Sequence, residues 1–147
     1  MTAGTLPLIR TAVLADQPRV DAIRLGVTEN RLSDPSKVST AEVDWYRDKA
    51  IFLVSEEGGD VVAFACANHQ TGLVWALFVD PAHEGRGHGA ALLDALLERL
   101  AGAGHRQAWL TTGAGTRAER FYRHRGWRDM GRQFDGQIAF IKTLPRA

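Results

Sequence analysis

The residues that most plainly invite chemistry are Asp80-Pro81-Ala82-His83-Glu84-Gly85-Arg86-Gly87-His88-Gly89-Ala90. Three glycines alternate with other residues just before an apolar, helix-spaced run begins. Glycine lets a backbone approach a ligand closely and take dihedrals that other residues resist. The first amides of a helix have no partner within it and sit at the positive end of its dipole. An anionic phosphate is the natural guest of such a turn. On the residues alone, a tight turn with no ligand competes with a dinucleotide-binding turn, which Gly85-x-Gly87-x-x-Ala90 nearly matches. The latter needs an acid at the end of the next strand, where Thr111 and Thr112 stand. A P-loop is excluded, because no Gly-Lys-Ser/Thr follows.

Other reactive residue types carry less. His69, His83, His88, His105 and His124 show no metal-ligand spacing, so no metal is expected and they read as loop or surface residues. Cys66 lies in the apolar run Val61–Ala67 and reads as inert packing. Six arginines fall between Arg117 and Arg132; a charge run of this kind is usually the wet face of a helix. The chain has 147 residues, 18 Lys plus Arg and 17 Asp plus Glu, a net charge of +1. That balance gives no basis for nucleic-acid or membrane binding through net charge. No apolar run approaches a bilayer span. Met1 to Leu8 does not read as a signal peptide, and one cysteine excludes an internal disulfide framework. A cytoplasmic location is expected.

The elements that must position the glycine turn can be read from periodicity. The length suggests one domain, residues 1–147. Leu6 to Thr11 reads as a first strand, and Asp16 caps a first helix carrying Val20, Ile23 and Val27. Ser39 and Glu42 have capping-box spacing for a second helix through about Asp48. Ile51–Glu56, Asp60–Asn68 and Gly72–Val79 form an antiparallel meander across short turns. Ala90–Leu100 is an amphipathic helix and Gln107–Thr112 a strand. Thr116 and Glu119 open a helix carrying Phe121 and Tyr122, and Trp127–Gly131 and Gln137–Leu144 close the chain as strands. The order is β-α-α-β-β-β-α-β-α-β-β, an α/β (α+β) fold with a mixed central sheet. Its strand–helix–strand crossover implies parallel pairing.

Leu77-Phe78-Val79-Asp80-Pro81 followed by Glu84-Gly85-Arg86-Gly87-His88-Gly89 resembles motif A of the GNAT N-acetyltransferase superfamily, Arg/Gln-x-x-Gly-x-Gly/Ala. Ala118-Glu119-Arg120-Phe121-Tyr122-Arg123-His124-Arg125-Gly126-Trp127 is similar to the family's second signature, Ala-x-x-Phe-Tyr-x-x-x-Gly-aromatic. The element order matches over almost the whole chain. The resemblance implies a single acetyltransferase domain of the small bacterial type, with acetyl-CoA as co-substrate. Its diphosphate would lie on the backbone of Gly85, Arg86, Gly87, His88, Gly89 and Ala90. Glu84 stands where the family has Arg or Gln; Arg86 is near enough in sequence to compensate for that carboxylate.

Acetyl transfer to an amine requires a neutral amine, a donor for the oxyanion and a proton for the departing thiolate. By the resemblance, Tyr122 lies near the CoA sulfur as general acid. A backbone N–H near Leu77 or Phe78, on a bulged strand, meets the acetyl carbonyl, and Val79 borders the pantetheine arm. The segment around Glu29 lines the acceptor pocket, where Glu29 or Asp34 could bind or deprotonate an amine; an Asp-Pro turn with solvated neighbours is the alternative. Trp75, Trp109 and Trp127 read as core, with Trp75 within reach of the acceptor. The acceptor itself, a small molecule or a peptide, is not named by these residues. Many relatives dimerise, so a homodimer is compatible. A non-catalytic acyl-CoA sensor on the same fold is the rival to an enzyme.

Overall fold

The computed structural model describes residues 7–26 and 40–145. Glu29, Asp34 and Ser39 lie outside the described residues, so the acceptor-side carboxylates and the second predicted cap are left as sequence expectations. The order is β1 (Leu8–Thr11), α1 (Gln17–Gly26), α2 (Thr40–Lys49), β2 (Ile51–Glu57), β3 (Asp60–Ala67), β4 (Val74–Val79), α3 (His88–Gly102), β5 (Gln107–Thr112), α4 (Arg117–His124), β6 (Arg128–Arg132) and β7 (Ile138–Thr143). This is the predicted order, with boundaries shifted by a residue or two at most ends.

Strands β1-β2-β3-β4 form one antiparallel sheet, and β5-β7-β6 form a second. Gly58 and Gly59, at φ 62° and 87°, make the two-residue turn between β2 and β3. Positive φ at both positions matches the twist of the paired strands. The predicted parallel pairing across the α3 crossover shrinks to a single bridge between Leu73 and Trp109. There the Trp109 amide donates to Gly72 O at 3.1 Å. Just past the bridge, Trp75 is an extra residue in β4, since Ala76 pairs with Cys66 but Val74 pairs with Ala67. Such a bulge bends its strand, and β4 parts from β5 there.

Alternation along the strands makes two apolar layers. Leu53 on β2 and Ala63, Ala65 and Ala67 on β3 face α3, which answers with Leu92, Leu93, Leu96, Leu97 and Leu100. Three alanines in a row on one strand face give the leucine stripe room to approach the sheet. The same core continues to Leu110, Ile138 and Phe140 of the second sheet, so α3 ties the two sheets together. On the opposite face, Val54, Phe64 and Cys66 pack against Val20 and Ile23 of α1 and Val43 and Tyr46 of α2. Cys66 is fully buried, and burial alone pushes its thiol well above the usual range.

Before α1, Asp16 is a buried anchor. Its carboxylate takes two 2.8 Å hydrogen bonds from Arg10 and a third from the Val13 amide. The Arg10 bonds hold the carboxyl below its ordinary range, against the opposing effect of burial. A carboxylate depressed in the folded state contributes stability above its unfolded value, about pH 4, and loses it as pH falls through the folded value. Replacing Asp16 with Asn is therefore expected to cost about 1–2 kcal/mol at neutral pH, allowing for the one-third exposure of Arg10. Urea midpoints of variant and wild type should converge near about pH 2; an undiminished difference there would remove the ion pair as the cause.

Candidate active site

The parting of β4 from β5 opens a cavity of about 460 Å³. Leu77, Phe78 and Val79 form one wall, Pro81, His83–Gly85 and Gly87–Ala90 the floor, and Arg117, Ala118, Phe121 and Tyr122 the other wall. All the residues singled out from the sequence for the acyl carrier line it, except Arg86.

The floor is built from its two ends. At the start, the Asp80 amide donates to Val62 O at 2.8 Å, and the Asp80 carboxylate accepts from Ala82 N at 3.0 Å and from Arg19 at 2.9 Å. The Ala82 amide first, then Arg19, lowers the Asp80 pKa. Asp80 thereby caps the 3-10 turn Pro81–His83. Gly85 and Gly87 follow at φ 79° and 88°. The first helical bond of α3 runs from Ala91 N to Gly87 O at 3.0 Å. The amides of His88, Gly89 and Ala90 thus precede the helical ladder and are available at its positive end. A Cβ on Gly89 would meet only Val79 Cγ2, at 3.5 Å.

Two side chains differ from the sequence expectation. Arg86 does not offset Glu84. It pairs with Glu57 at the end of β2, while Glu84 pairs with Arg117 of α4. Any part Arg86 plays toward a ligand comes from its backbone. His88 is not a surface histidine. Its exposure is 1%, with Nδ1 2.6 Å from Ser55 Oγ and Nε2 3.0 Å from Glu57 Oε1. The reason is that α3 starts two residues before the predicted Ala90. Residue 88 then falls on the buried i, i+4 stripe with Leu92, Leu96 and Leu100. Ser55 and Glu57 were missed in the sequence. Their signal was alternation, since Leu53, Ser55 and Glu57 share one strand face.

Tyr122 sits at the wall in an aromatic nest, with Phe121 at 5.3 Å, Trp127 at 5.4 Å and Phe140 at 6.3 Å between ring centroids. Burial raises its phenol pKa, so it is protonated throughout the neutral range. Thr116 positions its helix by accepting from Glu119 N at 3.1 Å. On the opposite wall, the antiparallel ladder decides which amides face the gap. Because Asp80 N bonds to Val62 O, the alternate Phe78 N–H also points to β3. The N–H groups of Leu77 and Val79 point the other way, toward the cavity. Of the two oxyanion donors read from the sequence, Leu77 has this orientation and Phe78 does not. Behind β4, Trp75 stacks on Tyr46 at 4.2 Å, and burial first of all pushes the Tyr46 phenol up to about 12.

The model of the acetyltransferase (GNAT) family matches residues 20–127, and the chain belongs to this family. It is 37% identical over 98 residues to L-2,4-diaminobutyric acid acetyltransferase of Streptomyces anulatus. That alignment covers 58% of this chain and 54% of the relative, so the chain matches about half of the relative's length. Among solved structures, a GCN5-related N-acetyltransferase from Rhodopseudomonas palustris superposes with a TM-score of 0.79 at 20% identity, covering 95% and 97% of the two chains. A GNAT-superfamily phosphinothricin acetyltransferase from Sinorhizobium meliloti, in complex with acetyl-CoA, gives 0.75 at 23% identity, covering 94% and 88%. These structures share the fold. Acetyl-CoA is the acyl donor of this family, and the start of α3, His88–Ala90, lines the cavity. Among the described residues, no cluster of three metal-ligating side chains and no helix able to cross a membrane occurs.

The two cradle glycines separate conformation from space. Gly87→Ala meets no atom within 4 Å but must hold φ 88°, which costs roughly 1–2 kcal/mol. Gly89→Ala gains helix propensity and makes an ordinary contact, so its stability should stay within about 0.5 kcal/mol of wild type. Thermal melts of the two variants check this; equal losses would mean that packing, not φ, governs Gly87.

Proposed function

We propose that this protein is an acetyl-CoA-dependent N-acetyltransferase acting on a primary amine of a small molecule by direct attack. The observation that carries the reading is one cavity with the helix amides of His88–Ala90 on its floor and the protonated Tyr122 on its wall. The diphosphate of the carrier rests on the floor, which leaves the pantetheine arm to run along Val79 and Leu77. The amine nitrogen attacks the thioester carbon, and the Leu77 N–H meets the oxyanion that forms. The C–S bond then breaks, and Tyr122 gives its proton to the thiolate. Burial disfavours the tyrosinate and a buried thiolate alike. Direct attack is supported by Cys66, the one cysteine, which is fully buried behind the sheet with a raised pKa. Glu29 is proposed to draw the amine in or take its proton.

An amino-acid-like acceptor is supported by the relative in Streptomyces anulatus, whose name specifies a diamino acid. An amino-acid-like amine is therefore the first acceptor to try. Free thiol release with a panel of amino acids, diamines and short peptides tests the reading. Binding of acetyl-CoA with no transfer to any of them would favour a sensor instead. Tyr122→Phe keeps the ring among Phe121, Trp127 and Phe140 and removes only the hydroxyl. Its kcat should fall about 100-fold with acetyl-CoA affinity near that of wild type; an unchanged kcat, with chemistry limiting, would remove Tyr122 from proton transfer.

A further inference from the structure

We propose that Ser55, His88 and Glu57 are a positioning unit for the acyl carrier, a buried hydrogen-bonded chain from β2 that aims the first amides of α3 at the diphosphate. The proposal rests on the acetyl-CoA reading above.

His88 is the first residue of α3, on the stripe continued by Leu92, Leu96 and Leu100, all fully buried. An apolar side chain would satisfy packing there. An imidazole and a hydroxyl in the same place are costly unless each finds a partner. Both do, since Ser55 Oγ lies 2.6 Å from Nδ1 and Glu57 Oε1 3.0 Å from Nε2. An ionised carboxylate only accepts, so Nε2 carries the hydrogen, and in the neutral ring Nδ1 accepts from the Ser55 hydroxyl. The His88 bond foremost, then Arg86, lowers the Glu57 pKa, which favours the ionised form this arrangement needs. Two bonds at opposite edges of the ring fix its plane, which an apolar contact would not.

Glu57 adds a second tie. Its other oxygen, Oε2, holds Arg86. One carboxylate at the end of β2 therefore grips the residues on both sides of Gly87, which stands at φ 88°. Glycine has the most backbone freedom to lose, and tying both its neighbours removes that freedom before a ligand arrives. Preorganisation of this kind appears as affinity. The other end of the turn is held independently, by Asp80 on Val62 O and Arg19. The His88 ring acts through its own backbone rather than on the reacting atoms, so the loss on substitution belongs in KM rather than kcat.

The test is calorimetric titration of CoA, with steady-state KM and kcat for acetyl-CoA, on the full chain. Glu57→Ala should weaken CoA binding about tenfold, and Glu57→Gln, which keeps an acceptor for His88, should recover most of it. The double variant Ser55→Ala/His88→Leu replaces the polar chain by an apolar pair, so it should keep its melting temperature yet lose about tenfold in affinity. A purely structural role would do the opposite, lowering the melting temperature and leaving the affinity of folded molecules alone. Affinities of the double variant and Glu57→Ala within about twofold of wild type would overturn the proposal. If the double variant does not fold, the Glu57 pair decides by the same threshold. Absence of CoA binding by the wild type would instead overturn the carrier reading on which the proposal stands.

Discussion

The edge of β4 beyond Leu73 faces a gap rather than a partner strand, and the site depends on that. One backbone bridge to Trp109 joins the edges of the two sheets, and the bulge at Trp75 turns the rest of β4 aside. An unpaired strand edge exposes a row of amides and carbonyls that would otherwise recruit another chain. Here the edge is inside the molecule, walled by α4 and floored by the turn before α3, so its donors face a cavity. The backbone N–H groups of Leu77 and Val79 face the cavity because the ladder that would have consumed them was not built. The common core behind α3 allows this opening by holding both sheets from one side.

Charge around the floor is balanced rather than basic. Arg19 pairs with Asp80, Arg86 with Glu57 and Arg117 with Glu84. A diphosphate arriving here meets helix amides and a dipole before it meets a side-chain cation. Such a site gains specificity from geometry more than from long-range attraction, which fits a chain of net charge +1. It also makes the placement of the turn matter, because amide donors act only over hydrogen-bond distances. The anchoring of Asp80 at one end and of His88 and Arg86 at the other answers that need.

Element types and order were legible because each has a local cause: alternation in β2 and β3, the leucine stripe of α3, the Thr116 cap of α4 and the glycine pair at 58 and 59. The glycine turn at the start of α3 was legible for the same reason. The partners of the turn's side chains were not. Glu84 and Arg117 are 33 residues apart and meet across the gap, while Arg86 and Glu57 meet because a strand end lies beside the turn. His88 was misread because a lone histidine before a leucine run carries no sign of where its helix begins. Two residues of helix start decide whether it faces water or core.

The sequence by itself determined the strands, helices and glycine turn, since these follow from periodicity, caps and glycine positions within a few residues of chain. Tertiary structure alone decided that the crossover strands pair at one bridge and then part. It also decided which face of β4 offers its amides, and which carboxylate holds which arginine. Those outcomes are settled by packing across two sheets and one helix, where residues far apart in the chain compete for the same space and the same hydrogen bonds.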